Sequence, residues 1–355
     1  MQTIFSAAAS ALFVLGSTGI AAPLTTLSGE GWVADYDAAL ALAKETNKDV
    51  LVDFTGSDWC GWCIRLDNEV FSKDAFKAYA DEHFVLCALD FPNGEEARAK
   101  VPNPERNAEV QQQFGIQGFP TILLMTKDGE LYAQTGYQAG GPEAYVTHLT
   151  EITTAGKAAL ARVRELGTAY EAAEEAQRPA VLATIVDAYL EMGDAAPARN
   201  LVAYVEKAVA LEGDAHAAMR IKALRALLTN GAASAEMTAM ARRLDPENAE
   251  GLLELCVQSE MFSVQSIEEL QPCLDKLEAL LESGNISNAT LVGEMCGNGA
   301  RWYAEYLDNP EGARRLGTKA LELGMENERM RDAVQMMLDS LEETAEPEAE
   351  PAVRG

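Results

Sequence analysis

The sequence predicts an α/β domain, a central mixed sheet flanked by helices, followed by an all-α helical array. Two observations predict it. In the first 150 residues, short apolar runs at 49–55, 84–90, 120–126 and 131–135 alternate with stretches of helical spacing, and glycine and proline punctuate them. From Thr150 onward glycines thin out, strand-like runs vanish and Ala/Leu/Glu periodicity takes over. The 355 residues are enough for two domains, and 48% hydrophobic content is enough to fill their cores. The expected domains are residues 31–150 and 151–341.

Taken in order, residues 36–45 place Tyr36, Leu40 and Ala43 on one face of a helix that Asn47 and Lys48 end. Residues 49–55 form a nearly continuous apolar run, the pattern of a strand buried on both faces. Thr55 to Asp58 turn the chain, and a helix is expected from Cys60 to about Val70. Ser72 is placed to cap a second helix at 73–82. A second buried strand covers 84–90, and the proline-rich polar segment 92–107 reads as a loop. A helix at 107–114, a third strand at 120–126, a hairpin turn at Lys127-Asp128-Gly129 and a fourth strand at 131–135 follow. Pro142 opens a closing helix that runs through Leu149.

Charge excludes some functions. Net charge is -28, and both halves share it: residues 1–150 hold 9 basic and 20 acidic side chains, and residues 151–355 hold 19 and 36. No Lys/Arg cluster or basic stripe exists, which argues against nucleic acid or an anionic membrane as partner. Residues 1–22 have an apolar centre and small residues at the end, the pattern of a secretory leader, although no Lys or Arg precedes the apolar region. Beyond that leader no tract is long enough to span a bilayer. The expectation is an exported protein, periplasmic or secreted, working where disulfides persist. Residues 342–355, rich in Glu, Ala and Pro, are expected to form a disordered acidic tail.

Trp59-Cys60-Gly61-Trp62-Cys63 follows the first apolar run, and Gly118-Phe119-Pro120-Thr121 precedes the third. A strand, then Cys-x-x-Cys opening a helix, then a later Pro leading into a strand is the layout of a dithiol redox site. With Val52-Asp53-Phe54, Lys127-Asp128-Gly129 and Gly136 in the same order, residues 31–150 resemble the thioredoxin superfamily. The turn before Cys60 is one residue longer than in thioredoxin itself, Gly-Trp stands where Gly-Pro would, and the loop at 92–107 is longer. These departures resemble the exported thioredoxin-like proteins with a Trp-Cys-x-Trp-Cys site.

At a helix start, unpaired N–H groups and the helix dipole stabilise a thiolate, so Cys60 is the expected nucleophile. Cys63, three residues on, shares its helix face and is the expected resolving thiol. The resemblance implies three further roles. Pro120 matches the cis-proline opposite the dithiol, Asp53 the buried carboxylate that helps deprotonate the resolving cysteine, and Trp59 the flanking aromatic residue. Substrate contact is expected from Trp59, Gly61, Trp62, Phe119, Pro120 and Thr121. For Asp53 a hydrogen-bonded structural role, and for both tryptophans plain packing, stand as alternatives.

No metal and no cofactor beyond the redox-active Cys60–Cys63 disulfide is expected. The other cysteines, Cys87, Cys256, Cys273 and Cys296, are too widely spaced to complete a zinc site. Cys87 reads as a core thiol. In an oxidising compartment two of Cys256, Cys273 and Cys296 can bridge, and spacing does not choose the pair. The three glycines between Gly293 and Gly299 lack the lysine and strand of a nucleotide loop, and a loose turn or a helix packing site is the expectation there.

The second half divides into helix-length segments at 150–177, 179–192, 194–211, 214–229, 233–244, 246–260, 266–282, 287–307, 310–323 and 325–341. The phrase from Tyr189 to Arg199 resembles that from Tyr306 to Arg314, and starts near 180, 213 and 246 are about 33 residues apart. This resembles tetratricopeptide repeats, with an ordinary helical bundle as the alternative. The expected function is a thiol–disulfide oxidoreductase acting on protein thiols and disulfides together with a redox partner protein, with proteins docking on the helical half. The alternative is a protein-binding or assembly module whose first domain is a scaffold.

Overall fold

The computed structural model describes residues 31–343. The leader read at 1–22 lies outside them, as does the tail beyond Glu343. The chain divides after Gly156 into two units.

The first unit holds β1 (Trp32–Val33), α1 (Tyr36–Thr46), β2 (Asp49–Thr55), α2 (Gly61–Leu66), α3 (Asp74–His83), β3 (Phe84–Asp90), α4 (Glu95–Arg98), α5 (Pro104–Gln113), β4 (Thr121–Met125), β5 (Leu131–Thr135) and the start of α6 (Gly141–Ala172). The sheet order is β1-β3-β2-β4-β5. β2 runs parallel to β3 and antiparallel to β4, so the sheet is mixed. Val50 to Phe54 and Ile122 to Met125 are buried without interruption, because helices cover both faces. Tyr145 meets Phe71 and Phe76 edge to face, and those two rings pack tilted against each other, while Tyr36 of α1 reaches Met125. Each such side chain contributes roughly 1.5–3 kcal/mol by leaving water.

Local signals explain most boundaries. Asp35 caps α1 by accepting from the Ala38 N–H, and Asn47 closes it in the left-handed region. Four expectations need correction. β1 was not foreseen, since two residues carry no periodicity. The helix from Cys60 ends at Leu66 and continues as a π turn, Asp67–Phe71, which Ser72 closes by donating to Asp67 and Asn68; Ser72 does not cap α3. The predicted loop at 92–107 contains α4 and the start of α5, which begins on Pro104. The closing helix does not stop at Leu149: the Thr150 and Thr154 hydroxyls bond carbonyls four residues back, and α6 runs on.

The second unit continues with α7 (Arg178–Met192), α8 (Val202–Val209), α9 (Ala217–Thr229), α10 (Ala235–Leu244), α11 (Leu252–Ser263), α12 (Ile267–Ser283), α13 (Ala289–Glu305), α14 (Pro310–Leu323) and α15 (Glu328–Glu343). Neighbouring helices pack in pairs, and the odd-numbered helices from α7 to α15 also touch in series, forming one continuous layer. Two cores result, one around Ile185, Leu201 and Leu227, the other around Leu277, Val292 and Leu316. The helix expected from Pro246 starts at Leu252 instead. The Asp245 carboxylate takes the N–H groups of Glu250 and Leu252, and Asn248, at positive φ, takes that of Leu253, so the chain loops before it coils. Of the two readings of the glycines at 293–299, the helix packing site holds and the loose turn does not: they lie within α13, and a Cβ on Gly293 would lie 2.1 Å from the Gly324 carbonyl oxygen.

Candidate active site

Strand register gathers the site at one end of the sheet. Thr55 pairs with Asp90, Phe54 with Thr121 and Ile122 with Thr135. The segments that follow β2, β3 and β5 and the segment that precedes β4 therefore emerge side by side, where α/β sheets bind their ligands.

After β2 the chain turns and Cys60 caps α2. Its Sγ accepts the Cys63 N–H at 3.2 Å, and the two cysteines form a disulfide with Cα atoms 5.2 Å apart. A sulfur at this place meets the unpaired N–H groups and the positive end of the helix dipole. Cys60 is 5% exposed and Cys63 3%. A Cβ on Gly61 would meet nothing within 4 Å, so space is open beside the pair.

Hydrogen bonds fix the longer turn to the segment after β3. The Ser57 N–H donates to Asp90 at 2.9 Å, and the Trp59 Nε1–H donates to the Phe91 carbonyl at 2.8 Å. The Asp58 carboxylate accepts from the Asn93 and Gly94 N–H groups at 2.9 and 2.6 Å, and those bonds hold its carboxyl below the usual carboxylate range. The Trp59 ring lies over Gly56, where a Cβ would come within 2.5 Å of it. Trp59 also meets Phe119 edge on at 5.6 Å, and Phe119 contacts Phe91.

The Phe119–Pro120 peptide is cis. Thr121 opens β4 and its hydroxyl donates to the Gly118 carbonyl at 2.8 Å. On the β5 side, Trp62 packs at 5.2 Å from Tyr137, and the Arg65 guanidinium lies over both rings. Glu69 accepts from Arg65 at 2.8 Å and from the Tyr137 hydroxyl at 2.6 Å.

Asp53 is buried in β2, and among the described residues its Oδ1 has no hydrogen-bond partner. Burial, reinforced by Asp67 and Asp90, pushes its carboxyl up to about 8.

The structure brings Trp59 against Phe119 and joins Cys60 to Cys63, with Gly61 and Trp62 between them on α2. Sequence reasoning missed Asp58, Phe91, Arg65, Glu69 and Tyr137. Tyr137, directly after Gly136, had a signal in its position beyond a strand end; the carboxylate clamp of Asp58 had none. Cys87, Cys256, Cys273 and Cys296 are free and buried, so no pair among the described residues bridges apart from Cys60–Cys63. Among the described residues no cluster of His, Cys, Asp or Glu is arranged to hold a metal ion.

Residues 36–151 match the family model described as a thioredoxin-like domain. The disulfide bond reductase DsbH of Chlamydia pneumoniae is 32% identical over 112 residues, which are 32% of this chain and 66% of that protein. A protein disulfide-isomerase of Gallus gallus is 30% identical over 131 residues, 36% of this chain and 22% of its own length. A thioredoxin of Alicyclobacillus acidocaldarius subsp. acidocaldarius is 34% identical over 102 residues, 29% of this chain and 81% of its own. The chain thus spans just under two thirds of the first of these relatives and far less of the second.

Proposed function

The chain belongs to the thioredoxin-like family through residues 36–151, and on that footing we propose that it is a thiol–disulfide oxidoreductase acting on protein cysteines. The observation that carries this reading is Cys60 capping α2 while bonded to Cys63. In the reducing direction, the Cys60 thiolate attacks a substrate disulfide, a mixed disulfide forms, and one substrate thiolate leaves. Cys63 then attacks the Cys60 sulfur, the Cys60–Cys63 bond forms, and the second substrate thiolate leaves with the electron pair. Asp53, protonated at neutral pH, exchanges the proton with Cys63 as that thiol enters and leaves the bond. Trp59, Gly61, Trp62, Phe119, Pro120 and Thr121 form the surface on which the substrate segment lies.

We favour reduction as the physiological direction, because the first relative is named a disulfide bond reductase. We also place the activity outside the cytosol, on the strength of the leader-like residues 1–22; cell fractionation and the mature N-terminus test that placement. Equilibration against defined thiol/disulfide ratios tests the direction. A potential near about -270 mV supports a reductant, and one near about -120 mV reverses the assignment.

The burial of Cys60 favours a second reading, in which the disulfide is static and the domain is a scaffold for the helical unit. A pair that resists reduction at every accessible ratio establishes that reading and removes the first.

A further inference from the structure

The relatives reported above each cover about a third of the chain and assign nothing to the helical unit, which has a groove of its own. Two adjoining cavities of about 550 and 210 Å³ share Gln258 and Leu291 between α11 and α13. α13 buries Val292, Cys296, Ala300 and Tyr303 in the core. Its other face, Leu291, Glu294, Asn298 and Trp302, recurs at spacings of three and four and lines the groove. α11 faces it with Gln258 and with Phe262, which is 79% exposed.

Three polar side chains there are half-buried, and among the described residues Gln258, Glu294 and Asn298 make no hydrogen bond or ion pair. Their polar groups are therefore free to pair with a ligand. In the wider cavity Glu250 pairs with Arg225, and the buried Glu254 carboxylate is taken up by Asn248, Ser287 and Asn288, so Glu294 is the one carboxylate among the lining residues left without a partner. The groove therefore offers one unpaired carboxylate, Glu294, beside an aromatic end formed by Phe262 and Trp302.

We propose that this groove binds an extended peptide segment of a partner protein that carries a basic side chain next to a large apolar one. The Gln258 and Asn298 amides each offer donors and an acceptor, which matches the alternation of a peptide main chain. Glu294 receives the basic group, and Phe262, Trp302 and Leu291 receive the apolar one. An acidic side chain at the same place meets the like charge of Glu294.

The test uses the full chain, fluorescence anisotropy and salt at about 0.15 M, where long-range attraction is screened. The probes are fluorescein-labelled nonapeptides in a Gly/Ser background with one Lys and one Phe at every spacing up to four, and a matched set with Glu for Lys. At least one Lys/Phe peptide is expected to bind about tenfold tighter than its Glu counterpart. Glu294→Gln and Phe262→Ser each weaken it about fivefold, and Glu268→Gln, the same charge change at an exposed site on α12, leaves it within about twofold. Phe262 is a surface residue, so loss of binding in that variant is not loss of fold; circular dichroism checks this. The proposal is overturned if no peptide of the set binds, if Phe262→Ser binds as wild type, or if Glu268→Gln weakens binding as much as Glu294→Gln. That last outcome is general attraction to a chain of net charge -28.

Discussion

Two groups of cysteines in this chain share burial and differ in everything else. Cys87 sits mid-strand, and Cys256, Cys273 and Cys296 sit within helices, away from the free N–H groups of a helix start. Burial pushes the thiols of Cys256 and Cys273 up to about 11 and of Cys296 up to about 12, and raises Cys87 further still. Cys60 is nearly as buried, yet its sulfur lies on a free helix N–H. Burial alone silences a thiol; burial at a helix N-terminus, where the charged form finds donors, prepares one.

The strongest way to break this comparison is to exchange serine for cysteine in both groups. Cys60→Ser is expected to lower reduction of a model protein disulfide by more than about 10³-fold. Cys256→Ser and Cys296→Ser should leave the rate within about twofold. Cys63→Ser should accumulate mixed disulfides, visible on non-reducing gels, because the resolving thiol is gone. Equal losses in the two groups remove the distinction.

Asp53 sharpens the same contrast for carboxylates. From the ordinary carboxylate range near 4 up to about 8, folded Asp53 keeps a proton that the unfolded chain has released. Folding then takes up a proton, so this group's contribution to stability falls as pH rises through that window and is fully lost above it. Asp53→Asn should therefore stabilise the first unit by about 2–4 kcal/mol at pH 8, with little gain near pH 4. The same variant should slow turnover about tenfold or more at neutral pH, since Cys63 loses its proton partner. Denaturant unfolding and exchange rates across pH 4–9 measure both, and a pH-independent stability difference sinks the assignment.

The two units also differ in how much the sequence disclosed. The strand at 49–55 and the Cys-x-x-Cys start of α2 were legible because burial on both faces and helix entry each leave a local pattern. The fold class followed from those patterns, whereas the two similar phrases fall differently: Tyr189 to Arg199 runs from within α7 into a 3-10 turn before α8, and Tyr306 to Arg314 starts past the end of α13 and enters α14. What stayed hidden depends on distant partners. Asp58 binds backbone N–H groups at Asn93 and Gly94, and Glu69 ties Arg65 to Tyr137, contacts that no periodicity encodes. The start of α11 moved to Leu252 for a related reason: two side chains, Asp245 and Asn248, outcompeted the helix for its first N–H groups. The observed starts at Arg178, Ala217, Leu252, Ala289 and Glu328 are spaced wider than the roughly 33 residues read from sequence.

Gly293→Ala asks whether damage in the helical unit reaches the redox site. The new Cβ would collide with backbone, the Gly324 carbonyl, which cannot rotate away as a side chain would. A loss of about 1–3 kcal/mol in the helical unit is expected, with exchange at Cys60–Cys63 unchanged. A matching fall in exchange rate would show that the units are coupled in function.

The smallest effect separates the two tryptophans of the site. Trp59 is tied by a hydrogen bond to Phe91 and by contact with Phe119 and Gly56. Trp62 is 56% exposed, and Tyr137 and Arg65 pack against its ring. An exposed indole held rigid by its neighbours loses little entropy on contact and serves as an anchor for a partner. Trp62→Ala should lower kcat/KM for a protein disulfide about threefold and leave the rate with a small-molecule disulfide unchanged, because the small substrate never reaches the anchor. Tyr137→Phe keeps the ring but loses the bond to Glu69, and should give a smaller loss in the same direction. If Trp62→Ala slows both substrates alike, Trp62 acts on the Cys60–Cys63 pair itself and the contact role is wrong.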